Sequence, residues 1–214
     1  MERARPPRGG GRRGGGGSPG VTRETVTTMS HHEPYRVCVV CTGNICRSVM
    51  GEVMLRQALE EAGLGDRVAV DSAGTTSWEE GNPADPRTVA TLARQGLDGH
   101  GVRDHVARRF DGSWLPDLDL VLAADHGHLS ALRRLARREE DRAKVRMLRS
   151  FDPLSEAAGD LDMDDPWYGG TADFERTYDE IAAALPGLVE YVREALAGDA
   201  VPDLAGGSVP DRDR

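Results

Sequence analysis

Apolar residues along the chain fall into short continuous runs and longer stretches with helical spacing, and the two kinds alternate. Tyr35–Val40 is β-branched and apolar and predicts a buried strand ending at Cys41. Val68–Val70 predicts a second, short strand and Val145–Leu148 a fourth. Leu118–Ala124, the third, lacks polar alternation, which predicts burial on both faces as in parallel sheets. Between these runs, residues 48–62 carry Met50, Val53, Met54, Leu55, Ala58, Leu59 and Ala62 on one helical face, with Gly63 and Gly65 as stops. Residues 86–95 read as a helix with Pro86 in its first turn and Gly96 at its end. Residues 126–138 read as another. A long terminal helix follows from Phe174, Tyr178, Ile181, Leu185, Leu188, Val192 and Leu196, with Pro186 as a point for a kink. Strands alternating with helices predict one α/β domain with a parallel sheet.

The pattern holds only in the middle of the chain. Residues 1–33 are rich in Arg, Gly and Pro and include the unbroken run Gly14–Gly17, so they are expected to form a disordered arm. The domain is expected over 34–197 and a Gly/Pro/Asp-rich disordered tail over 198–214. Two other readings of the arm stand beside this one. It resembles an Arg/Gly segment for single-stranded nucleic acid but lacks interleaved aromatics, and Met29 is an alternative start just before the first strand. His31 and His32 fall in the arm and read as incidental.

Charge narrows the function classes. The formal net charge is −9. Residues 1–34 hold six arginines and three acids, or +3, which leaves −12 for the remainder. Neither nucleic acid nor an anionic membrane is an expected partner for so acidic a domain. Any anion site must be a local positive feature. Of 27 basic residues only Lys144 is lysine, a bias expected of a GC-rich bacterial genome. The arginine run Arg133, Arg134, Arg137 and Arg138 reads as a solvated helix end, with a docking patch as the alternative. The longest apolar runs are five residues, far short of the roughly 20 of a membrane span. No apolar segment follows the basic start, so no secretory signal is expected. The cysteines, Cys38, Cys41 and Cys46, lie within nine residues and cannot staple distant parts of a fold. A reducing, cytoplasmic location is the expectation.

One segment carries chemistry. Cys41-Thr42-Gly43-Asn44-Ile45-Cys46-Arg47-Ser48 lies between a strand and a helix. Five residues between Cys41 and Arg47 can curl with their N–H groups inward, and such a nest on a helix N-terminus binds a tetrahedral anion. Arg47 adds a planar fork that matches two phosphate oxygens. Cys41 sits in the same positive field, where a thiolate nucleophile is favoured. Gly43 permits backbone geometry that other residues resist, Asn44 can brace the loop, and Ser48 can donate to the sulfur. A zinc site is a poor alternative, because Cys41 and Cys46 have no nearby histidine or further cysteine to complete four ligands. Cys46 is either a packed small residue or a redox partner that protects Cys41 as a reversible disulfide. Cys38 reads as core.

A thiolate acting on phosphate needs a second group that protonates the leaving oxygen and later deprotonates water, and one carboxyl can do both. Asp164-Asp165-Pro166-Trp167-Tyr168-Gly169-Gly170 offers adjacent acids, a rigid proline and two aromatics that can line a slot for a flat leaving group. The plainer alternative is a surface turn with hydrophobic anchors.

From about Tyr35 to Leu196 the chain resembles the bacterial branch of the low-molecular-weight protein-tyrosine phosphatase family. The family signature V-C-x-G-N-x-C-R-S matches Val40 to Ser48, and D-S-A-G-T matches Asp71–Thr75. Trp78, Gly81, Pro83, Asp85 and Arg87 follow at familiar offsets. Asp104–Arg108, Phe151–Pro153 and the acid loop Asp165–Tyr168 match further blocks. The resemblance implies a four-stranded parallel sheet in the order 2-1-3-4. It implies Cys41 as nucleophile, Arg47 and the loop Thr42, Gly43, Asn44, Ile45, Cys46 and Ser48 as the phosphate site, and Asp165 as general acid and base. It also implies His105 as a brace of the loop, and Trp78, Trp167 and Tyr168 as cleft walls. No metal or cofactor is implied. The implied partners are phosphotyrosine proteins, such as a bacterial tyrosine kinase or, after release by a route without a signal peptide, a host protein.

Val49 stands where the family usually has proline, which touches only loop rigidity. Asp164 adds a second carboxyl; Asp165 is the expected acid because it precedes Pro166. Three rivals share some of these features. Arsenate reductase shares the loop but needs a later cysteine pair, and no cysteine follows Cys46. Protein arginine phosphatases typically have threonine where Ile45 stands. A non-catalytic phosphate-binding module would be expected to lack Cys41, Arg47 or Asp165.

Overall fold

In the computed structural model, residues 33–97, 99 and 101–198 are described. The expectations for the arm and the tail, with His31, His32 and the start at Met29, fall outside them apart from Glu33 and Gly198. Four strands, β1 (Tyr35–Cys41), β2 (Val68–Gly74), β3 (Leu120–Ala123) and β4 (Val145–Met147), form one sheet in the order β2-β1-β3-β4. Every pairing is parallel; Tyr35 faces Val68, Val37 faces Leu120 and Val121 faces Val145. Helices α1 (Arg47–Glu61), α2 (Pro86–Arg94), α3 (His126–Leu135), α4 (Glu139–Ala143), α5 (Pro153–Ala158) and α6 (Thr171–Gly198) complete it.

The central strand shows why its sequence lacks polar alternation. Val37, Val39 and Cys41 enter one core with α1, α2 and α6, while Cys38 and Val40 enter a second core with Leu132 of α3. Side chains on a strand alternate between faces, so two covered faces demand two apolar sets. Cys38 is fully buried there, and burial, then the Asp71 carboxylate, hold its thiol well above its ordinary range.

The structure corrects four readings. β2 continues four residues beyond Val70 to Gly74, paired with β1 to its end. Asp71 and Ser72 break the apolar pattern because Asp71 pairs with Arg108 and Ser72 bonds to Asn44 and Glu52. The helix expected over 126–138 ends at Leu135. Ala136 turns extended to reach the second core, and three acids, Glu139, Glu140 and Asp141, open α4, as suits a helix N-terminus. α6 begins at Thr171 and continues through Pro186. Next to that proline, a Cβ on Gly187 would clash with the Phe151 carbonyl, so the glycine admits a close backbone approach. The fourth correction is α5, for which no helix was expected. It is capped by the Asp152 carboxylate, which accepts from the Leu154 and Ser155 amides at 3.1 and 3.2 Å, and it stops at Gly159 in the left-handed region.

Candidate active site

β1 ends at Cys41 and α1 begins at Arg47, so the loop between them rises from the middle of the sheet. β1 lies between β2 and β3 there, the point where strand order reverses and α/β folds place their sites. Four of the loop carbonyls bond to the surrounding protein. Cys41 O accepts from the Thr75 amide at 2.8 Å and Thr42 O from the Thr76 amide at 3.1 Å. Ile45 O accepts from the Asp85 amide at 2.9 Å and from Thr88 Oγ1 at 3.1 Å. Asn44 O accepts from His105 Nε2 at 2.7 Å. Among the described residues, no amide N–H from Thr42 to Cys46 has a protein acceptor. Outward carbonyls and unmet inward donors make an anion nest on a helix N-terminus.

Asn44 holds the turn. It is fully buried, with φ at 60°, a left-handed conformation that asparagine tolerates better than most residues. Its amide nitrogen donates to Ser48 Oγ at 3.0 Å and Ser72 Oγ at 2.8 Å, and its side-chain oxygen accepts from the Arg108 amide at 3.0 Å. Ser72 in turn donates to Glu52 at 2.6 Å. Ser48 Oγ lies 3.0 Å from Cys41 Sγ, so the Cys41 sulfur stands at the end of this chain of hydrogen bonds. Gly74 lets β2 approach the loop, because a Cβ there would lie 2.7 Å from Thr42 O.

Arg47 is 3% exposed. Its Nη1 donates to Asp125 Oδ2 at 3.1 Å and Met163 O at 2.9 Å, and its Nη2 to Thr42 Oγ1 at 3.2 Å and Asp165 Oδ2 at 2.8 Å. Its Nε has no partner among the described residues. The acid loop therefore reaches the phosphate loop through one guanidinium. On its far side, Arg87 donates to the carbonyls of Trp167 and Gly169 at 3.3 and 3.0 Å while paired with Asp85 at 2.8 Å. Asp165 also caps the turn at Pro166–Tyr168, accepting from the Trp167 amide at 3.2 Å.

A cleft of about 150 Å³ opens over Cys41. Thr42, Gly43, Ile45, Cys46 and Arg47 form its floor, Trp78 and Glu79 one wall, and Asp165, Trp167 and Tyr168 the other. Trp167 and Tyr168 meet edge to face at 5.0 Å, and Trp78 is 79% exposed. The model of the family "Low molecular weight phosphotyrosine protein phosphatase" matches residues 36–198.

The chain belongs to this family.

It is 57% identical over 166 residues to the low-molecular-weight protein-tyrosine-phosphatase of Streptomyces coelicolor, covering 78% of this chain and 98% of that protein. A protein tyrosine phosphatase of Entamoeba histolytica, solved with Hepes in its active site, has a TM-score of 0.68 at 26% identity, covering 76% of this chain and 99% of that one. A structure of the YwlE arginine phosphatase, as a mutant with a phosphorylated active-site serine, has a TM-score of 0.61 at 28% identity, covering 74% of this chain and 96% of that one.

Against this phosphatase family, the expected residues gather at one cleft. Cys41, Thr42, Gly43, Ile45, Cys46, Arg47, Asp165, Trp78, Trp167 and Tyr168 all line it. Asn44, Ser48 and His105 brace the loop from behind. Asp164 does not line the cleft; it borders a neighbouring depression with Asp173 and Glu180, and Asp165 and Tyr168 line both. The three cysteines are free, and burial, then the Asp85 carboxylate, push the Cys46 thiol up to about 12.

Three site residues escaped the sequence reading: Glu79 on the cleft wall, Asp125 and His128. Asp125 leaves β3, caps α3 by accepting from the His128 amide at 2.8 Å, and holds Arg47. His128, 5% exposed, has its Nε2 2.9 Å from Thr42 Oγ1. An aspartate between a buried strand and a helix, beside the strand-order reversal, was the available signal.

Proposed function

We propose that the protein hydrolyses phosphotyrosine in proteins by way of a cysteinyl-phosphate. The observation that carries this reading is the set of unmet N–H groups around Cys41, roofed by Asp165 at 2.8 Å from Arg47. The phosphate takes the inward N–H groups and the free Nε of Arg47, and displaces Asp165 as the anion on that guanidinium. Cys41 Sγ attacks phosphorus, a P–S bond forms and the P–O bond to the phenol breaks. Asp165 gives its proton to the departing oxygen. Water then attacks phosphorus, Asp165 takes its proton, and the P–S bond breaks with Ser48 Oγ donating to the leaving sulfur. Thr42, Gly43, Asn44, Ile45 and Cys46 shape the cradle, and His105 fixes its outer edge.

The walls of Trp78, Trp167 and Tyr168 support a flat aryl leaving group, and Ile45 stands where arginine phosphatases typically carry threonine. Phosphotyrosine proteins of the cytoplasm, a tyrosine kinase among them, are the partners we infer. The free cysteines support that compartment. Among the described residues no helix is long and apolar enough to cross a membrane.

The experiment measures initial rates on matched phosphotyrosine, phosphoserine and phosphoarginine peptides. Phosphotyrosine should turn over and Cys41→Ser should abolish the reaction. Asp165→Asn should lose on the order of 10²–10⁴ in rate, and Asp164→Asn far less. Turnover of phosphoarginine alone would overturn the reading, and a larger loss for Asp164→Asn would overturn the choice of acid.

A further inference from the structure

Arg149 follows β4, outside the phosphate cleft, and is only 8% exposed. Burying a guanidinium is costly unless it is well paired, and here the pairing is incomplete, since Nε has no partner among the described residues. The other two nitrogens meet groups from three directions. Nη2 donates to Ser155 Oγ on α5 at 3.0 Å and to the Asp160 carboxylate at 3.2 Å. Nη1 donates to the carbonyl of Asp162 at 2.6 Å and lies 3.8 Å from Glu180 on α6.

These partners converge on the chain entering the acid loop. The Asp162 carboxylate accepts from the His126 amide at 2.7 Å, so this residue is pinned to α3. The Met163 amide donates to Ala124 O at 3.0 Å, and Met163 O receives Arg47 Nη1 at 2.9 Å. Two buried arginines thus hold consecutive carbonyls, Arg149 that of Asp162 and Arg47 that of Met163. Asp165 follows two residues later. When substrate arrives, Arg47 must exchange Asp165 for phosphate, whereas no contact of Arg149 involves the reacting groups.

We propose that Arg149 is a positioning residue for the general acid, holding the entry of the acid loop in place while Arg47 changes partners. This rests on Asp165 acting as the acid. Geometry at a proton-transfer step is demanding, and displacement of about 1 Å can cost on the order of 100-fold. The cost should fall on proton delivery to the leaving oxygen. An ester of a strongly acidic phenol needs that proton least.

The test compares kcat/KM of the full chain on a phosphotyrosine peptide and on p-nitrophenyl phosphate. Arg149→Met should lose roughly 10- to 100-fold on the peptide and less than about 3-fold on the activated ester. In the Asp165→Asn background it should cost nothing further on the peptide. Arg149→Lys, which keeps the charge but loses the planar fork, should recover part of the loss. Equal losses on both esters, or an additive loss in the double variant, would overturn the proposal. If Arg149→Met does not fold, Arg149→Lys carries the same comparison, and a loss equal on both esters overturns the proposal there as well. A wild-type chain inactive on phosphotyrosine, or an Asp165→Asn without effect, would remove both the proposed function and this inference. A damaging Asp165→Asn with a neutral Arg149→Met would remove the inference alone.

Discussion

The two loops that meet over Cys41 are built in opposite ways. The phosphate loop is eight consecutive residues joining a central strand to a helix, its carbonyls bonded to neighbouring backbone and to the His105 and Thr88 side chains, and its turn locked by one buried asparagine. The acid loop is assembled from afar. Arg149 and Arg47 hold its entry through the carbonyls of Asp162 and Met163, Arg47 also pairs with the Asp165 carboxylate, and Arg87 holds its exit through the carbonyls of Trp167 and Gly169. A nest that binds a dianion gains from rigidity, because its donors must already be aligned. In the reaction proposed above, Asp165 leaves Arg47, donates a proton and later accepts one, so it has to shift, and side-chain tethers to a backbone allow small shifts that a packed strand would not.

The largest effect expected of this difference is at Asn44. Asn44→Ala removes three side-chain hydrogen bonds and leaves a residue without a polar tip at φ of 60°. The cost should be about 2–4 kcal/mol of stability. Turnover should fall at least as far as for Asp165→Asn, with every ester affected alike because the cradle itself deforms. Urea unfolding and rates on two esters check this. Retained stability with selective loss on poor leaving groups would erase the contrast between the loops.

Arg87→Met should come next. It frees the carbonyls of Trp167 and Gly169 and leaves Asp85 without its partner, and it removes the guanidinium that lies 4.6 Å from the Phe174 ring centroid. Asp85 also donates its amide to Ile45 O, so Arg87 is linked to the phosphate loop through Asp85. The expected loss is roughly 10-fold in kcat/KM, larger on phosphotyrosine than on p-nitrophenyl phosphate. An equal loss would mean that Arg87 serves the cradle more than the acid.

The same contrast governs what could be read from the chain. The phosphate loop was legible because its chemistry and its support are contiguous, and the buried strand and helix around it follow ordinary periodicity. The sheet order came with the family resemblance, and the observed order agrees with it. What escaped was long-range pairing. Arg47 meets Asp125 across 78 positions and Met163 across 116, and no local pattern marks either contact. β2 was read short for a related reason. Its polar end, Asp71 and Ser72, faces Arg108 and the asparagine of the loop, so function overrode the apolar signature of a strand. The break between α3 and α4 was hidden because arginines continue the polar face across it, while the decisive residue, Ala136, differs from a helical alanine only by the core it reaches.

The smallest effect is a pH effect, and it tests where the two loops are joined. Burial alone would raise the Asp125 carboxyl. Hydrogen bonds from the His128 side chain and amide, with the charges of His128 and Arg47, outweigh that and lower it from 3.8 to about 2. A group depressed on folding contributes stability that is present above its unfolded value and lost as pH falls through its folded value. Asp125 should therefore add stability above about pH 4 that disappears toward pH 2, worth about 1–2 kcal/mol once partial exposure is counted. Asp85, Asp141 and Asp152 are also lowered, so a background slope will persist. Urea midpoints at pH 6, 3 and 2 should show Asp125→Asn weaker at pH 6, about half as far behind at pH 3, and nearly level with the natural chain at pH 2. Parallel curves would mean that the anchor of Arg47 on the β3 side is Met163 O alone, and that the seam between the loops depends on a carbonyl rather than a charge.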